Sequence, residues 1–193
     1  IQDKKGFLWF ATADGLNRYD GYSYEVYRHD PSDPKTLSGS DISTVTEDDE
    51  GNLWVGTRNA GLNKLDLKTG SVTQFTKGPS GEDISSAIIP SIVNLGNHKI
   101  GVAAVGRGYL VYNSKENKII SSESDFKSPV VKEIVRVFKH SNGSLWLGTR
   151  TGELISVLGN RTYLPFHIGP TKPSNDYRVR VLFEAKNGDI LVG

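Results

Sequence analysis

A motif that recurs about every 45 residues constrains the fold of this chain more than any other feature of its sequence. Its clearest copy reads GNLWVGT over residues 51–57, and a second part, GLNKLD, follows over residues 61–66. The pattern also begins at Gly6 and Gly143, and its opening returns at Gly188, 45 residues after Gly143. A period of this length predicts a repeat architecture, a solenoid or a propeller, rather than one globular core.

A weaker copy of the motif lies in the middle of the chain. Trp54 and Trp146 are 92 residues apart, which is two periods, so one further copy must separate them. It consists of residues 99–104 and 108–113, and Gly101 stands where the other copies have tryptophan. This unit has therefore lost its largest core side chain, and we expect it to be the loosest unit, with the fastest hydrogen exchange.

Each unit is predicted to be a meander of four short antiparallel strands. In the second unit we expect strands at residues 42–47, 53–57, 62–67 and 71–76, because turns rich in Gly, Asp and Asn separate the apolar or alternating runs there. The fourth strand of the fourth unit is expected at residues 161–166. The 21 Gly and 8 Pro of the chain fit short strands joined by tight turns.

A single meander cannot bury its apolar face, so each unit must stack on its neighbours. Four-stranded sheets that stack by rotation about an axis form a β-propeller, with the first strand of each sheet innermost. We therefore predict an all-β fold, an incomplete β-propeller of four-stranded antiparallel blades with about four blades and half of a fifth. The predicted blades cover residues 1–28, 42–76, 87–121 and 132–166, and the half blade covers residues 177–193.

The blade core is predicted from the Leu-Trp pair of the second strand. Neighbouring side chains of a strand point to opposite faces, so the two residues fill the spaces on either side of a blade. The predicted core residues are Trp9, Trp54, Trp146, Leu53 and Leu145. Truncating Trp54 or Trp146 to alanine is predicted to cost roughly 3 to 5 kcal/mol.

The composition argues against several classes of function. The formal net charge is +1, from 23 basic and 22 acidic residues that are dispersed along the chain, so we expect neither nucleic acid nor a membrane surface as a partner. The absence of cysteine excludes disulfides, zinc ribbons and thiol catalysis. The four histidines are widely separated, and we expect no metal, no cofactor and no catalytic residues.

The turn over residues 48–52, with sequence DDEGN, superficially resembles a calcium loop. Calcium takes six to eight oxygen ligands, and the spacing of an EF-hand is not met. We predict an ordinary hairpin turn.

The candidate ligand site is predicted at the turns that follow the second strand of each blade. Equivalent turns emerge on one face near the axis, and those of the second, third and fourth units each carry an arginine. The predicted contacts are Asp14, Arg58, Asn59, Arg107 and Arg150. Arginine binds carboxylate or sulfate in a bidentate manner, so the expected ligand is an acidic or hydroxyl-rich oligosaccharide. The alternative is that these are solvated turn residues.

The repeated phrase Gly-x-Leu-Trp-hydrophobic-Gly-Thr, followed by Gly-Leu-x-(Arg/Lys)-(Tyr/Leu)-Asp, resembles the two-component regulator propeller repeat. The resemblance is strong in the first two units, good in the fourth and weak in the third. It implies a non-catalytic, periplasmic sensing region of a membrane-bound bacterial regulator of the histidine kinase type, which often senses carbohydrate. Ligand-dependent rearrangement of an ectodomain dimer is the mechanism that it implies.

Two alternative functions remain open. The propeller could instead be a scaffold for protein partners or, less in keeping with the sequence, a glycan-active enzyme.

The first and last units are incomplete, so we expect a piece of a longer polypeptide. Its bare blade faces are expected to be covered by a second copy, with eight blades a plausible total, or by missing blades of the parent chain.

Overall fold

The structure of the protein is a computed structural model, which describes residues 1–78, 81, 83–122, 132–158, 161–162, 166–168 and 178–193. The described residues form short antiparallel strands grouped in five sheets. Sheet 1 contains β1 (Leu8–Thr12), β2 (Gly15–Tyr19) and β3 (Tyr24–Tyr27). Sheet 2 contains β4 (Ile42–Glu47), β5 (Leu53–Thr57), β6 (Leu62–Leu65) and β7 (Val72–Phe75). Sheet 3 contains β8 (Ser91–Gly96), β9 (Lys99–Ala104), β10 (Gly108–Asn113) and β11 (Lys118–Ser122).

Sheet 4 contains β12 (Ile134–Lys139), β13 (Leu145–Thr149), β14 (Glu153–Leu158), β15 (Arg161–Thr162) and β16 (Phe166–His167). Sheet 5 contains β17 (Leu182–Glu184) and β18 (Ile190–Val192). The predicted strand at 161–166 is replaced by β15 and β16, which both pair with β14. Residues 163–165, and residue 177 at the start of the predicted half blade, lie outside the described residues. No helix in the described part of the chain has the length and apolar character needed to span a membrane.

The sheets are arranged with their first strands innermost. Strand β4 packs beside β8, β8 beside β12, and β12 beside β17. Sheets 2 and 3 are complete meanders, sheet 1 has three strands, and sheet 5 has two. The fold is therefore an incomplete β-propeller of antiparallel blades, as the repeat predicts.

The core lies between successive sheets. Trp9 packs between sheets 1 and 2 with Leu53 and Val55, whereas Trp54 packs between sheets 2 and 3 with Ile100. Leu53 and Trp54 therefore point to opposite faces of β5. Leu145 packs toward sheet 3, and Trp146 is only half-buried because it faces the two strands of sheet 5.

An aspartate six residues before the tryptophan anchors the indole in the first two sheets. The Oδ2 atoms of Asp3 and Asp48 accept the indole N–H groups of Trp9 and Trp54 at 2.8 and 3.0 Å. The Oδ1 atom of Asp48 accepts the amides of residues 50 and 52 at 3.0 and 2.8 Å, and Asp3 makes the equivalent bonds. The acidic turn at 48–52 thus uses a buried carboxylate to satisfy N–H donors.

Sheet 3 replaces both parts of this arrangement. The five-residue loop is shortened to a turn at Asn97 and His98, which both adopt positive φ. The buried ring of Tyr109 covers Gly101, since a Cβ atom built on Gly101 would lie 2.6 Å from the Tyr109 hydroxyl oxygen. The third unit therefore compensates for its missing indole with a tyrosine from the neighbouring strand.

Polar contacts join adjacent sheets at the lower end, which we define by the loops between first and second strands. Glu47 and Glu184 each end a first strand, and each accepts a backbone amide from the preceding sheet at 2.9 Å, from Lys4 and Ser141. Between sheets 2 and 3, the Asn94 amide donates to Asp49 Oδ1 at 3.0 Å. This bond and the backbone N–H of residue 98 lower the pKa of Asp49.

Apolar side chains remain exposed on the two outermost faces. On sheet 1 these are Leu8, Phe10 and Tyr24. On sheet 5 they include Phe183 and Leu191. Leu8 and Phe10 are the counterparts of Leu53 and Val55, which are buried against sheet 1, so the exposed face has the character of a blade interface.

Replacing Trp54 by alanine is expected to lower the free energy of unfolding by roughly 3 to 5 kcal/mol, because the cavity is fully buried and Asp48 loses a donor. The same change at Trp146 is expected to cost less than about 3 kcal/mol, since this indole is partly solvated. The sequence alone predicts equal costs. Urea unfolding followed by circular dichroism measures both, and equal losses would contradict the difference in packing.

The substitution Gly101→Ala is expected to destabilise the chain by about 1 to 3 kcal/mol, because the added methyl group overlaps the Tyr109 ring. The loss of stability caused by Gly101→Ala should be smaller in a Tyr109→Phe background, because the hydroxyl oxygen that lies closest to the added methyl group is absent there. A double-mutant cycle in urea measures this coupling, which we expect to exceed about 0.5 kcal/mol. An identical cost in both backgrounds would show that Tyr109 does not fill the site.

Candidate functional site

The predicted ligand residues lie at one end of the sheets, which we call the upper end. In sheet 2, Thr57 pairs with Ile42, and Gly56 pairs with Leu62. The turn after β5 and the residue before β4 therefore lie side by side. The same antiparallel order in sheets 3 and 4 brings the equivalent turns and connections to the upper end.

Arg58 and Arg150 have the same local geometry. The backbone amide of each donates to the carbonyl of an acidic residue that precedes the first strand, Arg58 to Asp41 at 2.9 Å and Arg150 to Glu133 at 2.8 Å. The Nε atom of Arg58 lies 3.1 Å from Asp41 Oδ1, and that of Arg150 lies 3.8 Å from Glu133 Oε2. The two side chains are 65% and 42% exposed, so each guanidinium group has a carboxylate on one side and solvent on another.

Arg107 does not occupy the equivalent position. In sheet 3 the equivalent amide is that of Val105, which donates to the carbonyl of Ile88, three residues before β8, at 3.0 Å. Arg107 lies two residues further on, and its Nη2 donates to the Asp83 carbonyl at 3.0 Å. Arg107 therefore lies at the upper end, but its guanidinium group bonds to a backbone carbonyl of the connection between sheets 2 and 3 rather than to a carboxylate.

The remaining predicted contacts, Asp14 and Asn59, are exposed. Asp14 accepts two hydrogen bonds from Arg28, from Nε at 3.1 Å and from Nη2 at 2.8 Å, and this hydrogen-bonded pair lowers the pKa of Asp14. Asn59 lies beside Gly39 of the connection between sheets 1 and 2. Asp14 is thus engaged by an arginine outside the predicted set.

Arginines on the innermost strands were missed by an interpretation that considered only turns. Arg136 is half-buried in β12, and its guanidinium group donates to the carbonyls of Pro90 at 3.0 Å, Val135 at 2.8 Å and Arg180 at 2.5 Å. Burial, followed by the charges of Arg178 and Arg58, lowers the pKa of Arg136. The signal in the sequence is an arginine within a predicted innermost strand, where an apolar or small residue is expected.

A groove of about 1020 Å³ lies between sheets 4 and 5 and is lined by Trp146, Leu154, Phe166 and Ile190 among others. Between sheets 2 and 3 the corresponding space is filled by the third strand of sheet 3, because Leu110 and Tyr112 of β10 pack against Trp54. The groove therefore follows from the two-stranded form of sheet 5. Among the described residues, no group of three or more His, Asp or Glu side chains is placed to hold a metal ion.

Comparisons with known proteins address the repeat and the fold. Residues 36–59, which include β4 and β5, match a family model described as two component regulator propeller. A segment of 37 residues is 49% identical to Histidine kinase P4 of Formosa agariphila. The segment makes up 19% of this chain and 3% of that protein. The chain therefore spans a very small part of this relative.

Solved structures resemble the chain over its whole length. The extracellular domain of a B. thetaiotaomicron protein, BT4673, described as a one component or hybrid two component system, has a TM-score of 0.75 in both of its structures, with 19% and 18% identity. The chain covers 28% of that extracellular domain. The β-propeller domain of Cps50 from Myceliophteria thermophila has a TM-score of 0.65 at 14% identity, and the chain covers 61% of it.

These likenesses show the propeller fold, and the family match lies on the copy of the motif that the sequence displays most clearly. The resemblance predicted from the sequence is confirmed: residues 36–59 match the two component regulator propeller model.

Proposed function

We propose that this chain is part of the ligand-sensing region of a membrane-bound two-component regulator of the histidine kinase type, exposed to the periplasm. The observation that carries the proposal is the family match over residues 36–59, which falls on the repeat that builds the whole fold. The local identity to a histidine kinase and the likeness to an extracellular domain support it. We propose that the boundaries between blades lie where the repeat predicts them.

The proposed ligand is an acidic or hydroxyl-rich oligosaccharide that binds at the upper end. Arg58 and Arg150 support this, because a carboxylate lies within ion-pair distance of each guanidinium group while the rest stays accessible. A side chain that is already ordered loses less entropy when it binds a ligand. Arg107 and Asn59 would add contacts from neighbouring turns, and Asp14 would contribute from the first sheet.

The proposal assigns no catalytic role to this region. A general acid for glycan chemistry needs a carboxyl group with a raised pKa, whereas Arg28 lowers the pKa of Asp14 at the upper end. In the proposed mechanism, ligand binding rearranges an ectodomain dimer, and the change passes through the membrane to the kinase. A scaffold for protein partners and, less in keeping with this site, a glycan-active enzyme are the competing functions.

We also propose that a further blade of the parent polypeptide covers the outer face of sheet 1. In sheet 2 the equivalent face receives Trp9 and Leu16 of the preceding blade, and Asn63 binds Ser38 of the connection through both atoms of its amide group, at 2.9 and 2.8 Å. Asn17 is the counterpart of Asn63 on sheet 1. Light scattering of the full chain tests the competing occupant, because a stable dimer would favour a second copy over a parent blade.

The ligand proposal is tested by calorimetry of the complete ectodomain that contains this chain against a panel of acidic and neutral oligosaccharides. Binding without turnover is expected. Replacing Arg58, Arg107 and Arg150 together by alanine should weaken binding by about 100-fold or more, because each charged hydrogen bond contributes about 1.5 to 3 kcal/mol. Arg18→Ala is the matched control, since Arg18 is also ion-paired, to Glu25 at 2.8 Å, but in the lower half of sheet 1.

Unchanged affinity in the triple variant would remove these arginines from the site. Hydrolysis or cleavage of a saccharide would favour the enzyme, and no heat with any saccharide would favour the scaffold.

A further inference from the structure

A second group of basic side chains lies on the innermost strands or just before them, rather than on the turns that follow the second strands. Arg136 is the central member, because its guanidinium group donates to carbonyls of three sheets: Pro90 of the segment that leads into sheet 3, Val135 of its own strand, and Arg180 of the segment that leads into sheet 5. These carbonyls belong to the innermost strands or to the residues just before them. Arg136 is therefore placed near the propeller axis, where the sheets converge.

Arg178 lies four residues before β17, the innermost strand of sheet 5. The amide of Val179 donates to the Thr149 carbonyl at 3.0 Å, just as the amide of Ile89 donates to the Thr57 carbonyl at 2.9 Å. Arg178 is therefore the counterpart of Ile88. The same position holds an acid in sheets 2 and 4, where Asp41 and Glu133 each bond to the arginine of their own turn.

Within the described residues, the charges of these arginines are not balanced by a carboxylate. No carboxylate of the described residues forms an ion pair with Arg136 or Arg178, and Asp41 is engaged by Arg58. Within the described part of the chain, Arg136 uses Nε and Nη1 for carbonyls and leaves the two N–H groups of Nη2 without a partner. A half-buried cation with unused donors and like charges nearby favours the arrival of an anion.

We propose that Arg136 and Arg178, with Arg58 at its upper edge, form an axial anion site that takes a sulfate or carboxylate group. The planar guanidinium group of Arg136 is held by carbonyls on one side and presents Nη2 on the other, which suits an oxyanion better than a neutral hydroxyl. The anion site is inferred from the positions of Arg136 and Arg178 on and before the innermost strands. That the anion belongs to a saccharide rests on the proposed sensing function.

The test titrates the full chain with sodium sulfate, and separately with sodium acetate, at constant ionic strength set by chloride. Isothermal calorimetry should show saturable binding of at least one oxyanion. Arg178→Gln should weaken it by about tenfold or more, because one charged hydrogen bond contributes about 1.5 to 3 kcal/mol. Arg178 is exposed, so the variant is expected to fold, and circular dichroism verifies this. Arg18→Gln is the control and should keep the affinity of the wild type.

Two outcomes would overturn the axial site. One is the absence of saturable binding for both anions. The other is binding that survives in Arg178→Gln but is lost in Arg107→Gln, which would locate the anion at the turns. Because the probe is an inorganic or simple organic anion, saturable binding that depends on Arg178 would support the site even if no saccharide binds to the ectodomain.

Discussion

The structure depends on one constraint, that each small sheet has two apolar faces and must bury them against its neighbours. Leu53 and Trp54 lie next to each other in β5 and serve different interfaces, the first toward sheet 1 and the second toward sheet 3. Stability is therefore distributed along the series of sheets, since each contacts mainly the next. The half-buried state of Trp146 beside two-stranded sheet 5 illustrates what an incomplete neighbour leaves unfilled.

In sheets 1 and 2 the buried indole and the buried carboxylate satisfy each other's hydrogen bonds. A buried indole N–H needs an acceptor, and a buried carboxylate needs donors, so Asp48 and Trp54 each satisfy the other. In sheet 4 a histidine stands at the aspartate position, and the indole donates to Ser144 instead at 3.0 Å. In sheet 5 the two positions hold Ala185 and Leu191, and neither polar group remains. A tryptophan without the aspartate therefore takes another acceptor, as Trp146 does with Ser144.

The same topology explains why cationic side chains gather at the upper end and near the axis. Turns after the second strands emerge beside the starts of the first strands, which places Arg58 next to Asp41 and Arg150 next to Glu133. The innermost strands add Arg136, whose donors bind exposed carbonyls at the junctions between sheets. A surface with anchored guanidinium groups is suited to anions without a large net charge on the whole chain.

The repeat and most strand positions can be read from the amino-acid pattern alone. Strands β4 and β5 have the predicted bounds, because periodic apolar runs end at turn residues in both cases. The upper-end position of the turn arginines also follows from local antiparallel pairing. Only the tertiary structure decided that Tyr109 covers Gly101 and that Arg136 meets residues of three sheets. The physical reason is that the first contact depends on side-chain volume across paired strands, and the second on how the sheets converge at the axis, neither of which a linear pattern records.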